Sequence, residues 1–149
     1  MIIPPVLTLL LAFALSRAPL PPAQTPVWSS WPAQGIVTTP FGQAHPGIDI
    51  GSLRSLAVRA AQPGMVVEVG QPPGYEGYGN VVEIADGRGF TTLYAHLAGW
   101  RVHLGQYVWP GERIGTAGCT GWCTGTHLHF EMRLRRLPVN PLRFRARAP

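Results

Sequence analysis

The sequence contains no lysine, and two cysteines are its whole thiol complement. Charge is sparse too, at 13% of the 149 residues, against 46% hydrophobic residues. That balance excludes a wholly disordered chain. No apolar run reaches the roughly 20 residues of a membrane-spanning helix; the longest, residues 6–15, has ten. No stretch sustains helical amphipathic spacing over three turns, and no internal repeat is visible, so a helical bundle is excluded. What the chain has in abundance is glycine and proline, 18 and 16 residues, the punctuation of short strands joined by turns. Its length suits one domain.

The ten-residue apolar run is followed by the small residues Ala14, Ser16 and Ala18. It fits the core of a signal peptide, with an uncleaved hydrophobic anchor as the alternative, over residues 1–18. Either reading makes the protein exported: periplasmic, held at the cell envelope, or secreted. Residues 19–34 are rich in proline and read as an extended linker whose end Trp28 and Trp31 pin to the domain. A folded domain is expected over 35–144 and a basic tail over 145–149.

The formal net charge of +5 is uneven. Arg133, Arg135, Arg136, Arg143, Arg145 and Arg147 give the last 17 residues +6 with no acid, so residues 1–132, with six Arg and seven acids, sum to −1. Nucleic-acid binding would need a basic face interleaved with aromatics, and only Phe144 stands among these arginines. The expectation is contact of this Arg-rich end with anionic wall or membrane polymers, in a monomeric protein without a nucleic-acid partner. Cys119 and Cys123, an even pair in an exported chain, are expected to form a disulfide. A metal pair is the weaker reading, since three intervening residues depart from the C-x-x-C knuckle and no second pair completes it. Closing so short a loop contributes only about 2 kcal/mol, so the bridge would chiefly fix local shape.

Runs of β-prone residues recur at 36–39, 48–50, 57–60, 64–69, 80–84, 90–95, 113–116 and 127–134. Asp86-Gly87, flanked by VVEIA and FTTLYAH, is a hairpin signal. The fold class is therefore mostly β: a single small antiparallel sheet or sandwich with little helix.

Five histidines are present, and four stand in informative settings. Residues 127–132 read His-Leu-His-Phe-Glu-Met. On a strand, side chains at i and i+2 share a face, so His127, His129 and Glu131 point one way and Leu128, Phe130 and Met132 point into a core. Two imidazoles side by side make half of a metal site. His45-Pro46-Gly47-Ile48-Asp49 supplies a second half, an imidazole and a carboxylate brought together by a bend. Asp49 lies between two isoleucines, where a carboxylate needs a positive partner and a metal ion supplies one. Spacing alone leaves open which of His127 and His129 binds the ion. In Tyr94-Ala95-His96-Leu97, alternation places Leu93, Ala95 and Leu97 toward the core and Tyr94 with His96 on the other face. His103 has no such setting and reads as a surface residue.

The ordered set Phe41-Gly42, His45-x-Gly47-x-Asp49, Val58-x-Ala60, Gly64-x-Val66, Tyr78-Gly79-Asn80-x-Val82, Tyr94-x-His96-Leu97, Gly111-x-x-Ile114-Gly115 and Thr124-Gly125-x-His127-Leu128-His129-Phe130-Glu131 closely resembles the lysostaphin-type (LytM-like) zinc metallopeptidases. The likeness runs from about Gly35 to Phe144. It implies one zinc ion held by His45, Asp49 and His129, with His96 and His127 as the catalytic pair. The loop before H-x-H usually has Ser or Gly in that family where this chain has Cys119 and Cys123. Three protein ligands leave a position for water whose pKa the ion lowers. One catalytic histidine would take the proton and the other would hydrogen-bond the oxyanion. Glu131 would orient an imidazole from behind. The implied substrate is peptidoglycan, cut in a cross-bridge or stem peptide, with loop 72–78 lining the groove. The alternative of another class is a non-catalytic LytM-like module that binds the wall and activates a separate amidase.

Overall fold

A computed structural model describes residues 27–146. The expected signal peptide or anchor, the first half of the expected linker and the last three residues lie outside the described residues.

Ten strands run in the order β1 (Ile36–Thr39), β2 (Ile48–Gly51), β3 (Ala57–Arg59), β4 (Gly64–Gly70), β5 (Asn80–Ala85), β6 (Phe90–Trp100), β7 (Tyr107–Val108), β8 (Arg113–Ala117), β9 (Leu128–Leu134) and β10 (Leu137–Val139). A 3-10 turn, Pro141–Phe144, follows. All named strand pairs are antiparallel, in the spatial order β1-β2-β9-β6-β5-β4-β7, with β10 on β9 and β3 on β8. This is the mostly β, antiparallel architecture expected. All eight expected strands form, with bounds shifted by at most one residue except in β6, which ends at Trp100 instead of residue 95. β7 and β10 were not foreseen; at two and three residues they are too short to show a period.

The alternation in β9 holds. Leu128, Phe130 and Met132 are fully buried in the main core. There Phe130 packs between the Trp28 and Tyr94 rings, with centroids 5.5 and 5.3 Å away. The opposite face carries a smaller cluster of Val81, Leu93 and Ala95, covered by Tyr75 and Tyr78.

Strand β6 departs from expectation in length and in parity. Its first half pairs with β9 from Phe90 to Ala95, and its second half, from Leu97 onward, pairs with β8. Between them the register on β5 slips: Val82 faces Tyr94, and Asn80 faces Leu97. Two steps on β5 match three on β6, which is a β-bulge, and His96 within it has φ +59°. Strict alternation therefore mis-assigns the faces. Tyr94 lies in the main core, with its hydroxyl accepting from the Ala61 N–H and donating to Thr92 Oγ1. Leu93 and Ala95 lie on the site side, and the extra residue returns Leu97 to the main core.

The packed body also begins before residue 35. Trp28 is 1% exposed and donates its indole N–H to Pro141 O at 2.8 Å. Val27 and Ala146 exchange main-chain bonds with Phe144 and Trp28. The Arg145 guanidinium stacks 4.8 Å from the Trp31 ring. Part of the expected linker and the start of the expected tail thus close the underside of the core together. The arginine cluster is divided in the same way: Arg133 and Arg145 are engaged by the domain, while Arg136 and Arg143 are exposed.

Candidate metal centre and active site

Pairing brings the site together. In the β2–β9 ladder Asp49 lies directly opposite His129, and in the β6–β9 ladder Ala95 does, so His129 is flanked on both sides by strands. His45 enters from the turn before β2. The bulge aims His96 at the same point, and His127 stands at the mouth of β9, where an isolated bridge joins it to Gly118. Strand β6 forks there between β9 and β8, and the loop 118–127 spans the fork.

Three imidazole nitrogens converge on Asp49 Oδ1: His129 Nδ1 at 2.8 Å, His45 Nε2 at 3.2 Å and His127 Nε2 at 3.6 Å. His45, Asp49 and His129 each offer a ligand atom, all within 4.8 Å of one another. His96 closes the cluster, its ring centroid 4.9 Å from that of His127 and 5.9 Å from that of His129. The five residues singled out from the sequence therefore meet in one place, and His103 stands apart as an exposed residue.

Partners behind the rings fix the tautomers, because a carbonyl or carboxylate oxygen can only accept. His45 Nδ1 donates to Pro40 O at 2.9 Å, which leaves the Nε2 lone pair toward Asp49. His96 Nδ1 donates to Thr120 O at 2.8 Å and His127 Nδ1 to Gly125 O at 2.7 Å, so each presents Nε2. His129 is reversed: Nε2 donates to Glu131 Oε1 at 2.9 Å and Nδ1 faces Asp49.

Glu131 is fully buried and ties the site to a polar network. Its carboxylate accepts from the Tyr78 hydroxyl at 2.6 Å and from Arg133 Nε and Nη2 at 2.8 and 2.7 Å. Arg133 also approaches Glu83 at 3.9 Å, and Tyr75 donates its hydroxyl to Glu83. The sequence places Tyr78 only in the groove-lining loop 72–78 and Arg133 only among the charges of the Arg-rich end. Extending the alternation of His127, His129 and Glu131 by two residues would have put Arg133 on this face.

The electrostatics follow from this crowding. Burial works to raise Asp49, but the hydrogen bond and charge of His129, with the charge of His45, hold it down to about 2. Burial works against a charged His129 ring, yet the bonds and charges of Asp49 and Glu131 push it up to about 9. His96 is shifted down, first by burial and then by its histidine neighbours, against the pull of its bond to Thr120. Tyr78 is pushed up to about 12 by burial and by Glu131. Two lone-pair imidazole nitrogens and one carboxylate make a donor set that suits zinc, and a cation among them replaces the proton that His129 Nδ1 otherwise carries.

The sequence profile described as Peptidase family M23 matches residues 43–141, which takes in every residue of this cluster. The chain belongs to peptidase family M23. Its M23 domain is 39% identical over 116 residues to DD-carboxypeptidase/endopeptidase Mpg of Neisseria meningitidis, covering 71% of this chain and 26% of that protein. It is 38% identical over 117 residues to murein hydrolase activator NlpD of Escherichia coli, covering 76% and 30%. Among solved structures, the catalytic domain of lysostaphin from Staphylococcus simulans superposes with a TM-score of 0.61 at 29% identity, covering 74% of this chain and 89% of that one. A zinc-containing peptidase from Vibrio cholerae gives 0.67 at 28% identity, covering 84% and 41%. The chain spans about half or less of the length of the curated relatives it matches. The fold is that of the lysostaphin-type peptidases, with Cys119 and Cys123 joined as a disulfide.

Proposed function

We propose that this M23 protein is a zinc-dependent endopeptidase of the bacterial envelope that hydrolyses peptide bonds of peptidoglycan. The observation that carries this reading is the convergence of His45, Asp49, His129, His96 and His127, each with its outer nitrogen held by a backbone carbonyl or a carboxylate where it is a histidine. His45 Nε2, Asp49 and His129 Nδ1 are the atoms that would hold zinc, which supplies a Lewis acid and a water acidic enough to attack at neutral pH. His96 and His127 present Nε2 toward the same space. One, as the neutral ring, accepts the proton of the attacking water and delivers it to the leaving amine; the other, as the imidazolium, donates its Nε2–H to the oxyanion of the tetrahedral intermediate. Glu131 keeps His129 Nδ1 aimed at the ion by holding its Nε2–H. Loop 72–78, which carries Tyr75 and Tyr78, borders the groove and selects the bond. The exposed Arg136 and Arg143 add attraction to anionic wall or membrane polymers.

The likeness to a murein hydrolase activator supports a second reading, a wall-binding module that activates a separate amidase. Against it stands a complete set of ligands and histidines. Mass spectrometry of muropeptides after incubation with the purified protein separates the two. New peptide termini, abolished by chelation and by His127→Ala, are expected; no new termini at stoichiometric zinc would overturn the enzymatic reading.

A further inference from the structure

The two inward-facing histidines outside the ligand set take their orientation from one short stretch of chain. The carbonyl that holds His96 belongs to Thr120, and the carbonyl that holds His127 belongs to Gly125. The Cys119–Cys123 disulfide links the two halves of that stretch.

The halves are not equally secured. Thr120 is anchored without the bridge: its hydroxyl donates to Leu97 O at 2.7 Å and accepts from the Asn80 N–H at 3.0 Å. Trp122 N–H donates to Gly77 O at 2.9 Å. Beyond Trp122 the support stops. Thr124, Gly125 and Thr126 are exposed. Among the described residues, the 123–126 segment makes no hydrogen bond to the rest of the domain except that from His127 Nδ1 to Gly125 O. Cys123 Sγ packs 3.0 Å from Gly125 O and 3.7 Å from His127 Nδ1. A bridged sulfur has no proton to donate, so these are packing contacts that brace the carbonyl and the ring.

We infer that the Cys119–Cys123 disulfide is a positioning element for His127: it fastens the Gly125 carbonyl to the anchored Thr120 half of the loop and so fixes the orientation and tautomer of the His127 ring. It leaves the metal ligands alone, because the second nitrogens of His45 and His129 bond to Pro40 and Glu131, outside the loop. His96 keeps its orientation without the bridge, because Thr120 has its own anchors. A misplaced His127 slows the chemical step while substrate binding persists.

The inference rests on the catalytic reading above, and the test is built to separate the two. The zinc-loaded full-length protein is compared with the Cys119→Ser/Cys123→Ser variant and with parent protein reduced by a phosphine, so that reduction covers any folding failure of the variant. Zinc per chain, kcat and KM on a soluble muropeptide digest, and histidine nitrogen-15 spectra are recorded on each. Opening the bridge should leave zinc stoichiometric and KM within about twofold while kcat falls about ten- to a hundredfold. The spectra should show the Nδ1–H form of His127 lost to mixed tautomers and that of His96 retained. An unchanged kcat with an unchanged His127 signature overturns the inference and leaves the enzymatic reading standing. Loss of zinc, or equal disturbance of His96, overturns it as well, since the bridge would then support the whole centre. If the oxidised parent cuts no bond, the enzymatic reading fails, and the His127 signature alone decides whether the bridge positions the ring.

Discussion

Glu131→Gln keeps the shape of the buried side chain at the back of the metal centre and removes its charge. The carboxylate accepts four hydrogen bonds, from His129 Nε2, Tyr78 and two nitrogens of Arg133. An amide can serve His129 and Tyr78 through its oxygen, but its NH2 then faces the guanidinium, donor against donor. Arg133 would keep Glu83, at 3.9 Å, and the face of the Tyr75 ring, 5.6 Å from its centroid. Depriving a partly buried charge of its main hydrogen-bond partner costs about 1–3 kcal/mol. The same change unfastens His129, the proposed zinc ligand, and loss of such an outer partner weakens metal binding roughly 10- to 100-fold. Tyr78→Phe is the internal control: it removes one of the four bonds and no charge, for about 1 kcal/mol. Urea unfolding of chelated protein reads the first effect, and competitive titration against a zinc-binding dye reads the second. If Glu131→Gln held zinc as tightly as the parent and lost less than about 1 kcal/mol, the network would not be supporting the ligand.

Other outcomes follow from the same geometry. In chelated protein His129 is raised from 6.5 to about 9, so its stabilisation is complete below pH 6.5 and is lost as pH rises through about 9. Urea midpoints measured from pH 6 to 9.5 should fall over that window, and a flat profile would contradict the assignment. Gly47→Ala would set a Cβ against the Phe130 carbonyl and 2.8 Å from Glu131 Cγ. Overpacking there should cost about 1–3 kcal/mol and pull Asp49 from His129, seen as a lowered midpoint together with weakened zinc binding. A chain starting at residue 35 loses Trp28, and about 3–5 kcal/mol of stability is expected to go with it; an unchanged thermal midpoint would place the domain edge back at 35. Arg136→Gln/Arg143→Gln should lower adsorption to anionic wall polymers at low salt and make little difference at high salt. Equal adsorption at low salt would remove these residues from wall attraction.

Much of this protein is legible along the chain because its informative patterns are local. A strand's period of two put His129 and Glu131 on one face of β9 and Phe130 on the other, and that holds whatever the partners of β9 are. Three residues between His45 and Asp49, with a Pro-Gly bend, leave little freedom in how the two converge. The tertiary structure decided what depends on partners far away in sequence. Whether His96 faces the core or the site depends on one extra residue in β6, placed where that strand exchanges β9 for β8. Which of His127 and His129 lies opposite Asp49 is set by a ladder joining residues 80 positions apart. Arg133 reads as surface charge until Glu131 and Glu83 are brought around it, and Trp28 reads as the pinned end of a linker until residues 27–28 meet 144–146 and its ring packs on Phe130. Period and spacing are properties of a segment; parity across a bulge and the pairing of buried charges belong to the assembled sheet.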